Sequence, residues 1–248
     1  MALSRRDFVK LCSGTVAGFG VSQMFHPAIH EAFAQTLTGE RPPVFWVQGQ
    51  GCTGCSVTLL NSTHPSIADV LLKIISLEFH PTVMAAEGEG AYEHMMRVAE
   101  KFKGKFIFAV EGAVPVAHDG KCCVVAEADH HEVTMTEVTK VLAANAAAVL
   151  AVGTCAAYGG IPAGKGNETG AMGVSAFLKK EGIPAPVINI PGCPPHPDWI
   201  VGTIGLGLQA LATNTLGLLV KQGLDANGRP KAFYKNVHMN CPHLSAFE

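Results

Sequence analysis

The sequence has few charged residues and no excess of positive charge. Only 15% of its 248 residues are Asp, Glu, Lys or Arg, and the formal net charge is -2. Nucleic-acid-binding domains usually present a basic surface, so this balance argues against nucleic acid as a partner. Hydrophobic residues make up 48% of the chain, which is enough for one substantial core. We therefore expect one α/β unit with additions.

The chain also lacks the cysteine density of a disulfide-stabilised protein. Eight cysteines are spread over 248 residues, too few for such a scaffold. Several of them lie beside glycine or proline, which favours metal ligation.

Long apolar runs are missing as well. The apolar stretch 200–220 is interrupted by several glycines and by Gln209, Thr213 and Asn214, so it predicts a buried helix and its exit, not a membrane span.

The first 34 residues contain the three parts of an export signal. A twin-arginine pattern at Ser4–Lys10 is followed by a weakly apolar stretch, 11–25, and a small-residue cleavage site, Ala32–Ala34. An amphipathic N-terminal helix is the alternative, but the order of the parts favours a twin-arginine signal peptide over residues 1–34. The prediction is a mature periplasmic chain from about Gln35. This export route carries folded proteins, which suggests a cofactor inserted before export.

Four short apolar segments each run directly into a glycine-containing turn. They are predicted strands at residues 44–47, 106–110, 148–152 and 187–190. A further strand is predicted at 74–80, and helices are predicted at 55–61, 66–73, 91–102, 134–146, 174–180 and from 197. Buried strands that alternate with helices are typical of a parallel sheet covered on both faces. The sequence therefore predicts a flavodoxin-like doubly wound parallel sheet of the α/β class over residues 35–225.

Four cysteines and one carboxylate follow the ends of these predicted strands. Cys52 and Cys55 follow the first strand, and Glu111, Cys155 and Cys193 each follow a later one. Functional groups in parallel sheets gather outside the carboxyl ends of the strands. We expect three distant segments to bring four thiols to one edge of the sheet. Glu111 is either a functional carboxylate there or a turn residue.

Four converging thiolates can hold a tetrahedral zinc ion or a [4Fe-4S] cluster. Structural zinc sites usually take their ligands as two close pairs, whereas here one pair joins two single cysteines. The spacing therefore favours the iron-sulfur cluster. A structural zinc domain is one alternative. Another is a thiol oxidoreductase that uses only Cys52 and Cys55 as a redox disulfide.

Four motifs together resemble the small subunit of [NiFe] hydrogenases. They are Gly-Cys-Thr-Gly-Cys-Ser at 51–56, Val-Glu-Gly at 110–112, Gly-Thr-Cys-Ala-Ala-Tyr-Gly-Gly at 153–160 and Pro-Gly-Cys-Pro-Pro at 191–195. The resemblance covers nearly the whole mature chain. It implies that Cys52, Cys55, Cys155 and Cys193 ligate the proximal [4Fe-4S] cluster.

The resemblance also implies a partner and a direction of electron flow. The nickel-iron centre that splits hydrogen belongs to a separate large subunit, and this chain shows no second Cys-x-x-Cys pair that would bind nickel and iron. Its expected role is therefore to pass electrons toward an acceptor such as a c-type cytochrome or a membrane cytochrome. Membrane association would come only through these partners.

The end of the chain matches only the beginning of a second cluster motif. In the family, a histidine and a cysteine begin the distal-cluster motif, and His238 and Cys241 match them by resemblance. The remaining ligands are missing before Glu248. Residues 226–248 are therefore predicted to begin a small C-terminal iron-sulfur domain. Medial and distal clusters are expected only if the chain continues past Glu248, and we interpret the sequence as a fragment of a longer subunit.

The alternative relative is the iron-sulfur subunit of respiratory complex I. That subunit uses a tandem cysteine pair, and Cys122 and Cys123 are adjacent here. In the relative, however, the pair follows the first strand, where this sequence has Cys52 and Cys55. We therefore interpret Cys122 and Cys123 as buried or partly buried structural cysteines.

Overall fold

The computed structural model describes residues 41–63 and 65–234. The predicted signal peptide and the predicted ligands His238 and Cys241 lie outside the described residues. The described strands are β1 (Pro43–Gln48), β2 (Ser76–Phe79), β3 (Ile107–Glu111), β4 (Val114–Pro115), β5 (Val124–Ala128), β6 (His131–Thr134), β7 (Ala148–Val152), β8 (Ala171–Met172) and β9 (Val187–Ile190). The described α-helices are α1 (Gly54–Leu60), α2 (Ile67–Asp69), α3 (Gly88–Lys101), α4 (Met135–Asn145), α5 (Gly153–Tyr158), α6 (Val174–Lys180), α7 (Pro197–Ala212) and α8 (Leu216–Leu218).

Five strands form one parallel sheet in the order β2-β1-β3-β7-β9. The second strand lies outside the first, and the later strands follow on the other side. This is the flavodoxin-like strand order. Every residue of β3 and β7 is buried, because helices cover both faces of the sheet. The prediction of a flavodoxin-like α/β sheet is therefore confirmed.

The two faces of the sheet carry separate hydrophobic layers. Successive residues of β1 alternate between them: Phe45 and Val47 pack in one layer, and Val44 and Trp46 pack in the other. Helices α3, α4 and α6 cover the first layer, and α1 and α7 cover the second. Because α7 is packed in this way, the apolar stretch from residue 200 is a core helix, as predicted. No described helix is long and apolar enough to cross a membrane.

Helix α4 begins at a capping box formed by Thr134 and Glu137. The N–H of Glu137 donates to the hydroxyl of Thr134 at 3.3 Å, and the N–H of Thr134 donates to the Glu137 carboxylate at 2.7 Å. Two N–H groups that lack helical partners are thereby satisfied. Helix α4 then packs beside the strands that carry the site.

Several local elements differ from the prediction. The predicted helix 66–73 is the single turn α2, which continues as a π-helix over Val70–Ile74. Helix α5 begins directly at the end of β7 and was not predicted. Two small antiparallel pairs, β4 with β8 and β5 with β6, were not predicted either. All of these lie outside the central sheet, so the strand ends that position the site are unaffected.

Candidate metal centre

The carboxyl edge of the sheet carries the four predicted cysteine ligands. Cys52 lies in the turn between β1 and α1, and Cys55 lies in the first turn of α1. Cys155 lies in the first turn of α5, and Cys193 lies in the loop between β9 and α7. Because β1, β7 and β9 are parallel, their following loops meet at the same edge of the sheet.

The four thiols lie close enough to influence one another. All four are free. Burial, followed by the charges of Glu111, Cys52, Cys155 and Cys193, raises the pKa of Cys55 to about 12. Burial also raises the pKa of Cys155, and the charges of Cys193 and Cys52 act in the same direction. The three loops therefore bring the four sulfurs into one group, in which thiolates are disfavoured unless positive charge is bound among them.

Glycines keep the surroundings of three sulfurs free of side chains. A β-carbon on Gly153 would overlap the sulfur of Cys55, and one on Gly160 would lie 2.7 Å from the sulfur of Cys155. Both glycines have positive φ angles, +88° and +54°, which other residues rarely adopt. A β-carbon on Gly54 would lie 3.2 Å from the sulfur of Cys52. The sequence thus leaves open the space that a group bound by these sulfurs requires.

Hydrogen bonds connect the loops that carry the two single cysteines. The N–H of Thr154 donates to the carbonyl oxygen of Gly192 at 2.9 Å, and the N–H of Gly192 donates to the Thr154 hydroxyl at 3.1 Å. Next to them, the backbone N–H of Ile161 lowers the pKa of the Cys155 thiol and so opposes the effect of burial. Backbone N–H groups that point at ligand sulfurs are one means by which proteins tune iron-sulfur clusters.

The carboxylate of Glu111 is buried directly behind the Cys52–Cys55 turn. It is only 3% exposed. Its oxygens accept hydrogen bonds from the N–H groups of Cys55 at 2.9 Å and Ser56 at 3.1 Å, and from the indole N–H of Trp46 at 2.9 Å. The Ser56 hydroxyl and the Gln48 amide also donate to it. Glu111 is therefore a buried, fully engaged carboxylate and not a simple turn residue.

His80 extends this polar network toward the surface. Its ring is 1% exposed and stacks on Trp46, with the ring centroids 5.4 Å apart. The N–H of Thr82 donates to Nδ1, so Nε2 carries the proton and donates to the Ser56 hydroxyl at 3.2 Å. Burial lowers the pKa of His80, although the charge of Glu111 opposes this effect. His80 is thus a neutral core histidine.

Sequence reasoning did not find the partners of Glu111. Trp46 and Gln48 lie on β1, Ser56 lies in α1 and His80 follows β2, three places whose proximity depends on the strand order. One available signal is the alternation of β1, which places Trp46 and Gln48 on the same face of the sheet. Gln48 is also the register partner of Glu111 across β1 and β3.

Cys122 and Cys123 lie outside the group of four sulfurs. Both are half-buried beside β5, and burial raises the pKa of Cys123. Their placement agrees with the prediction that they are partly buried structural residues. Among residues 41–63 and 65–234, no three His, Cys, Asp or Glu side chains lie close enough together to hold a single metal ion. The four free thiols around glycine-lined space nevertheless match the donor set of a [4Fe-4S] cluster.

The outer side of the site is open and partly apolar. Cys52 and Cys193 are exposed. Val57, in the helix of Cys55, and Tyr158, in the helix of Cys155, are about half exposed, and Ile161 just after Tyr158 is 83% exposed. Exposed apolar side chains grouped at one place commonly mark an interaction surface.

Comparison with known proteins places this arrangement in a family. The model of the family described as NADH ubiquinone oxidoreductase, 20 Kd subunit, matches residues 52–206. The matched range contains all four cysteines of the site and more than half of the chain. The complex I alternative falls within this broad family, so closer relatives are needed to separate it from the hydrogenase prediction.

Individual relatives distinguish the hydrogenase prediction from the complex I alternative. The chain is 53% identical to the periplasmic [NiFeSe] hydrogenase small subunit of Desulfomicrobium baculatum, over 100% of this chain and 79% of the relative. It is 40% identical to the periplasmic [NiFe] hydrogenase small subunit of Solidesulfovibrio fructosivorans, over 99% and 71%. It is 36% identical to the hydrogenase-2 small chain of Escherichia coli K12, over 98% and 61%.

A solved structure agrees with these relatives. The structure of the recombinant [NiFeSe] hydrogenase from Desulfovibrio vulgaris Hildenborough contains a chain that is 67% identical to this one. The match has a TM-score of 0.80 and covers 86% of this chain and 76% of that chain. The fold and the sequence similarity, which extends over the whole of this chain, lead to the same result, and the hydrogenase prediction is confirmed. This chain belongs to the family of [NiFe] hydrogenase small subunits, the electron-transfer subunits of heterodimeric hydrogenases, and its named relatives indicate a periplasmic location.

Proposed function

We propose that this chain holds a proximal [4Fe-4S] cluster through Cys52, Cys55, Cys155 and Cys193. In this role it passes electrons from hydrogen oxidation at the nickel-iron centre of a large subunit toward an external acceptor. A c-type cytochrome or a membrane cytochrome is the expected acceptor. The observation that supports the proposal most directly is the meeting of four free thiols at one sheet edge, around space that glycines keep open.

A bound cluster supplies a one-electron couple, and the chain's residues set its surroundings. The four thiols provide the ligands, and binding must release their protons, because the pKa of Cys55 is about 12 without bound positive charge. The backbone N–H of Ile161 lowers the pKa of the Cys155 thiol and so stabilises negative charge on its sulfur. Glu111 holds the N–H groups of Cys55 and Ser56 and fixes the turn that carries the first pair of ligands.

The open apolar side of the site is the proposed docking surface for the large subunit. Electrons tunnel efficiently only over short distances, so the cluster must lie against the partner that contains the nickel-iron centre. Exposed Val57 lies in the helix of Cys55, and exposed Tyr158 and Ile161 lie within six residues of Cys155 along the chain, while Cys52 and Cys193 are themselves exposed. Covering these side chains removes apolar surface and the ligands from water together.

Export and the second domain belong to the same proposal. The twin-arginine pattern in residues 1–34 provides the route to the periplasm. Residues 226–248 begin the predicted C-terminal iron-sulfur domain, with His238 and Cys241 as partial distal-cluster ligands. Medial and distal clusters require a chain that continues past Glu248.

A thiol oxidoreductase fits the site less well. A reactive thiol needs a lowered pKa and access to its substrate. The pKa of Cys55 is raised instead, to about 12. A disulfide between Cys52 and Cys55 would also give no role to Cys155 and Cys193, although these thiols share the same edge.

The deciding experiment is anaerobic purification through a tag on this chain, followed by metal and sulfide analysis. The proposal predicts iron and acid-labile sulfide on this chain, with nickel on a larger co-purifying protein. Zinc without sulfide would overturn the electron-transfer proposal and leave a structural metal domain. Replacing Cys155 with Ser provides the second test, since it should lower iron content in a cluster protein but leave a disulfide enzyme active.

A further inference from the structure

The last described π-helix covers Leu219–Gly223, and the segment after it forms a compact loop against the sheet. Asp225 is its internal anchor: one carboxylate oxygen accepts the N–H groups of Asn227 and Arg229, both at 2.9 Å. The other oxygen accepts the Arg229 side chain at 2.7 Å. Gly228 has a φ of +71° and completes the turn. The loop is therefore held in shape by its own side chains.

The loop contacts the end of β9 and the helix that carries Cys155. Asn189, which is 5% exposed, donates its side-chain amide to the carbonyl oxygen of Asn227 at 2.7 Å. The hydroxyl of Tyr158 donates to the same carbonyl oxygen at 3.3 Å. Tyr158 ends α5, and the N–H of Gly159 donates back to the carbonyl oxygen of Cys155. One backbone carbonyl thus joins β9 to the helix of one ligand.

The end of the described segment contacts the loop of the other single ligand. The hydroxyl of Tyr234 donates to the carbonyl oxygen of Pro191 at 2.8 Å, two residues before Cys193. The ring of Tyr234 packs against Trp199, with the centroids 4.8 Å apart, and the Arg229 guanidinium lies 5.4 Å from its centroid. The ring of Tyr234 is therefore held between α7 and the preceding loop. This position directs its hydroxyl to the carbonyl oxygen of Pro191.

We propose that residues 225–234 act as a clasp that sets the positions of Cys155 and Cys193 relative to each other. Tyr234, within the clasp, and Tyr158, which binds to it, are the positioning residues. They act through hydrogen bonds to the carbonyl oxygens of Pro191 and Asn227. The proposal rests on the proposed function, since Cys155 and Cys193 are taken as cluster ligands. It assigns the segment after the last π-helix a role in the proximal site itself.

The physical reason lies in how the two loops are held. The Cys155 and Cys193 loops come from neighbouring strands and are joined directly by Thr154 and Gly192. The two hydrogen bonds between these residues, and a third from the Thr154 hydroxyl to the Gly192 carbonyl oxygen at 3.1 Å, all lie at one residue pair, about which one loop can pivot. The clasp adds contacts on the far sides of both loops, at Tyr158 and at Pro191. Removing them allows the loops to move apart and water to reach the sulfurs.

The test uses the anaerobic heterodimer with three matched substitutions, Tyr158→Phe, Tyr234→Phe and Tyr92→Phe. Each removes one hydroxyl and keeps the ring, and Tyr92 lies in α3 among the core contacts of the other layer. The first readout is hydrogen exchange. We expect the Gly192 and Cys193 amides to exchange about fivefold faster in Tyr234→Phe, which is the factor for one hydrogen bond of about 1 kcal/mol. Tyr158→Phe should instead speed hydrogen exchange of the Gly159 amide. Tyr92→Phe should leave the exchange rates of all three amides unchanged.

The second readout is the cluster. In Tyr234→Phe we expect changed electron paramagnetic resonance g-values, an upward shift of the reduction potential and several-fold faster iron release to a chelator. The potential rises because water stabilises the more highly charged reduced state. Unchanged exchange and unchanged spectra in Tyr234→Phe would overturn the clasp, as would equal changes in all three variants. If the unsubstituted protein contains no iron and sulfide, the proposed function fails, and the exchange experiment still decides whether the clasp exists.

Discussion

At the scale of single residues, Glu111 dominates the polar interior of the site. Five hydrogen bonds reach its carboxylate, from Trp46, Gln48, Cys55 and, twice, Ser56. An ionised carboxylate without such donors would be strongly disfavoured at 3% exposure. All of the groups that bind the Glu111 carboxylate are N–H or O–H donors. The NH2 group of a glutamine in its place would therefore face other donors and could not accept their hydrogen bonds.

We therefore predict that Glu111→Gln destabilises the site despite its similar shape. The expected loss is about 2 to 3 kcal/mol, the range for hydrogen bonds to a charged group left unmade. Iron content after anaerobic purification and thermal unfolding of the heterodimer measure the effect. Glu78→Gln is the matched control, because Glu78 forms a partly exposed pair with His94, with side chains 19% and 39% exposed, and its loss should cost less than about 1 kcal/mol. Equal stability of the two variants would contradict this role of Glu111.

A pH dependence follows from His80. Burial lowers its pKa in the folded protein below the ordinary value of 6.5. The unfolded chain therefore binds a proton first as the pH falls, and the stability from the neutral ring is present above pH 6.5 and decreases below it. We predict a smaller loss of stability in His80→Gln than in the parent protein between about pH 7.5 and 5.5, a range that spans the ordinary pKa of histidine. Denaturant midpoints of both proteins should be measured across this pH range. Parallel changes in the two midpoints would refute a role of His80 in the pH dependence.

At the scale of elements, strand patterns predicted the sheet because buried parallel strands are continuous apolar runs. The runs at 106–110 and 148–152 match β3 and β7 within one residue. Two-residue strands such as β4 and β8 contain too little sequence to show a period, and the π-helix at 70–74 has the same apolar spacing as an α-helix over so short a length. The meeting of the four cysteines at one edge of the sheet was predictable because each follows a recognisable strand end. The environment of Glu111 was not, because it depends on which strands are neighbours.

The start of α5 offers a test of how an element shapes the site. Gly153 has a φ of +88°, and a β-carbon there would overlap the sulfur of Cys55. We predict that Gly153→Ala loses most of its iron and sulfide, because the backbone strain is joined by a collision inside the ligand group. Gly166→Ala is the control, since Gly166 has a φ of +92° but nothing within 4 Å of its β-carbon position. Iron and sulfide per chain should separate the two variants, and equal values would show that backbone strain alone matters.

At the scale of the whole molecule, the sheet has two ends with different surroundings. The carboxyl end carries the four thiols and the exposed Ile161. The amino end carries Leu72, which lies in the π-helix leading into β2 and is 70% exposed. Both side chains are large, aliphatic and accessible in this chain. They differ in that only Ile161 borders the candidate cluster, through its N–H to Cys155.

Ile161 and Leu72 therefore allow a test of which end of the sheet the large subunit covers. If the large subunit covers the carboxyl end, Ile161→Glu places a charge in a buried interface, at a cost of several kcal/mol. We expect at least a tenfold loss of the co-purifying large subunit, while iron on this chain is retained because the N–H of Ile161 is unchanged. Leu72→Glu introduces the same charge at the amino end and should leave association intact. Quantifying both subunits after purification through this chain decides the point: full association of Ile161→Glu, or equal loss in both variants, would move the interface away from the cluster.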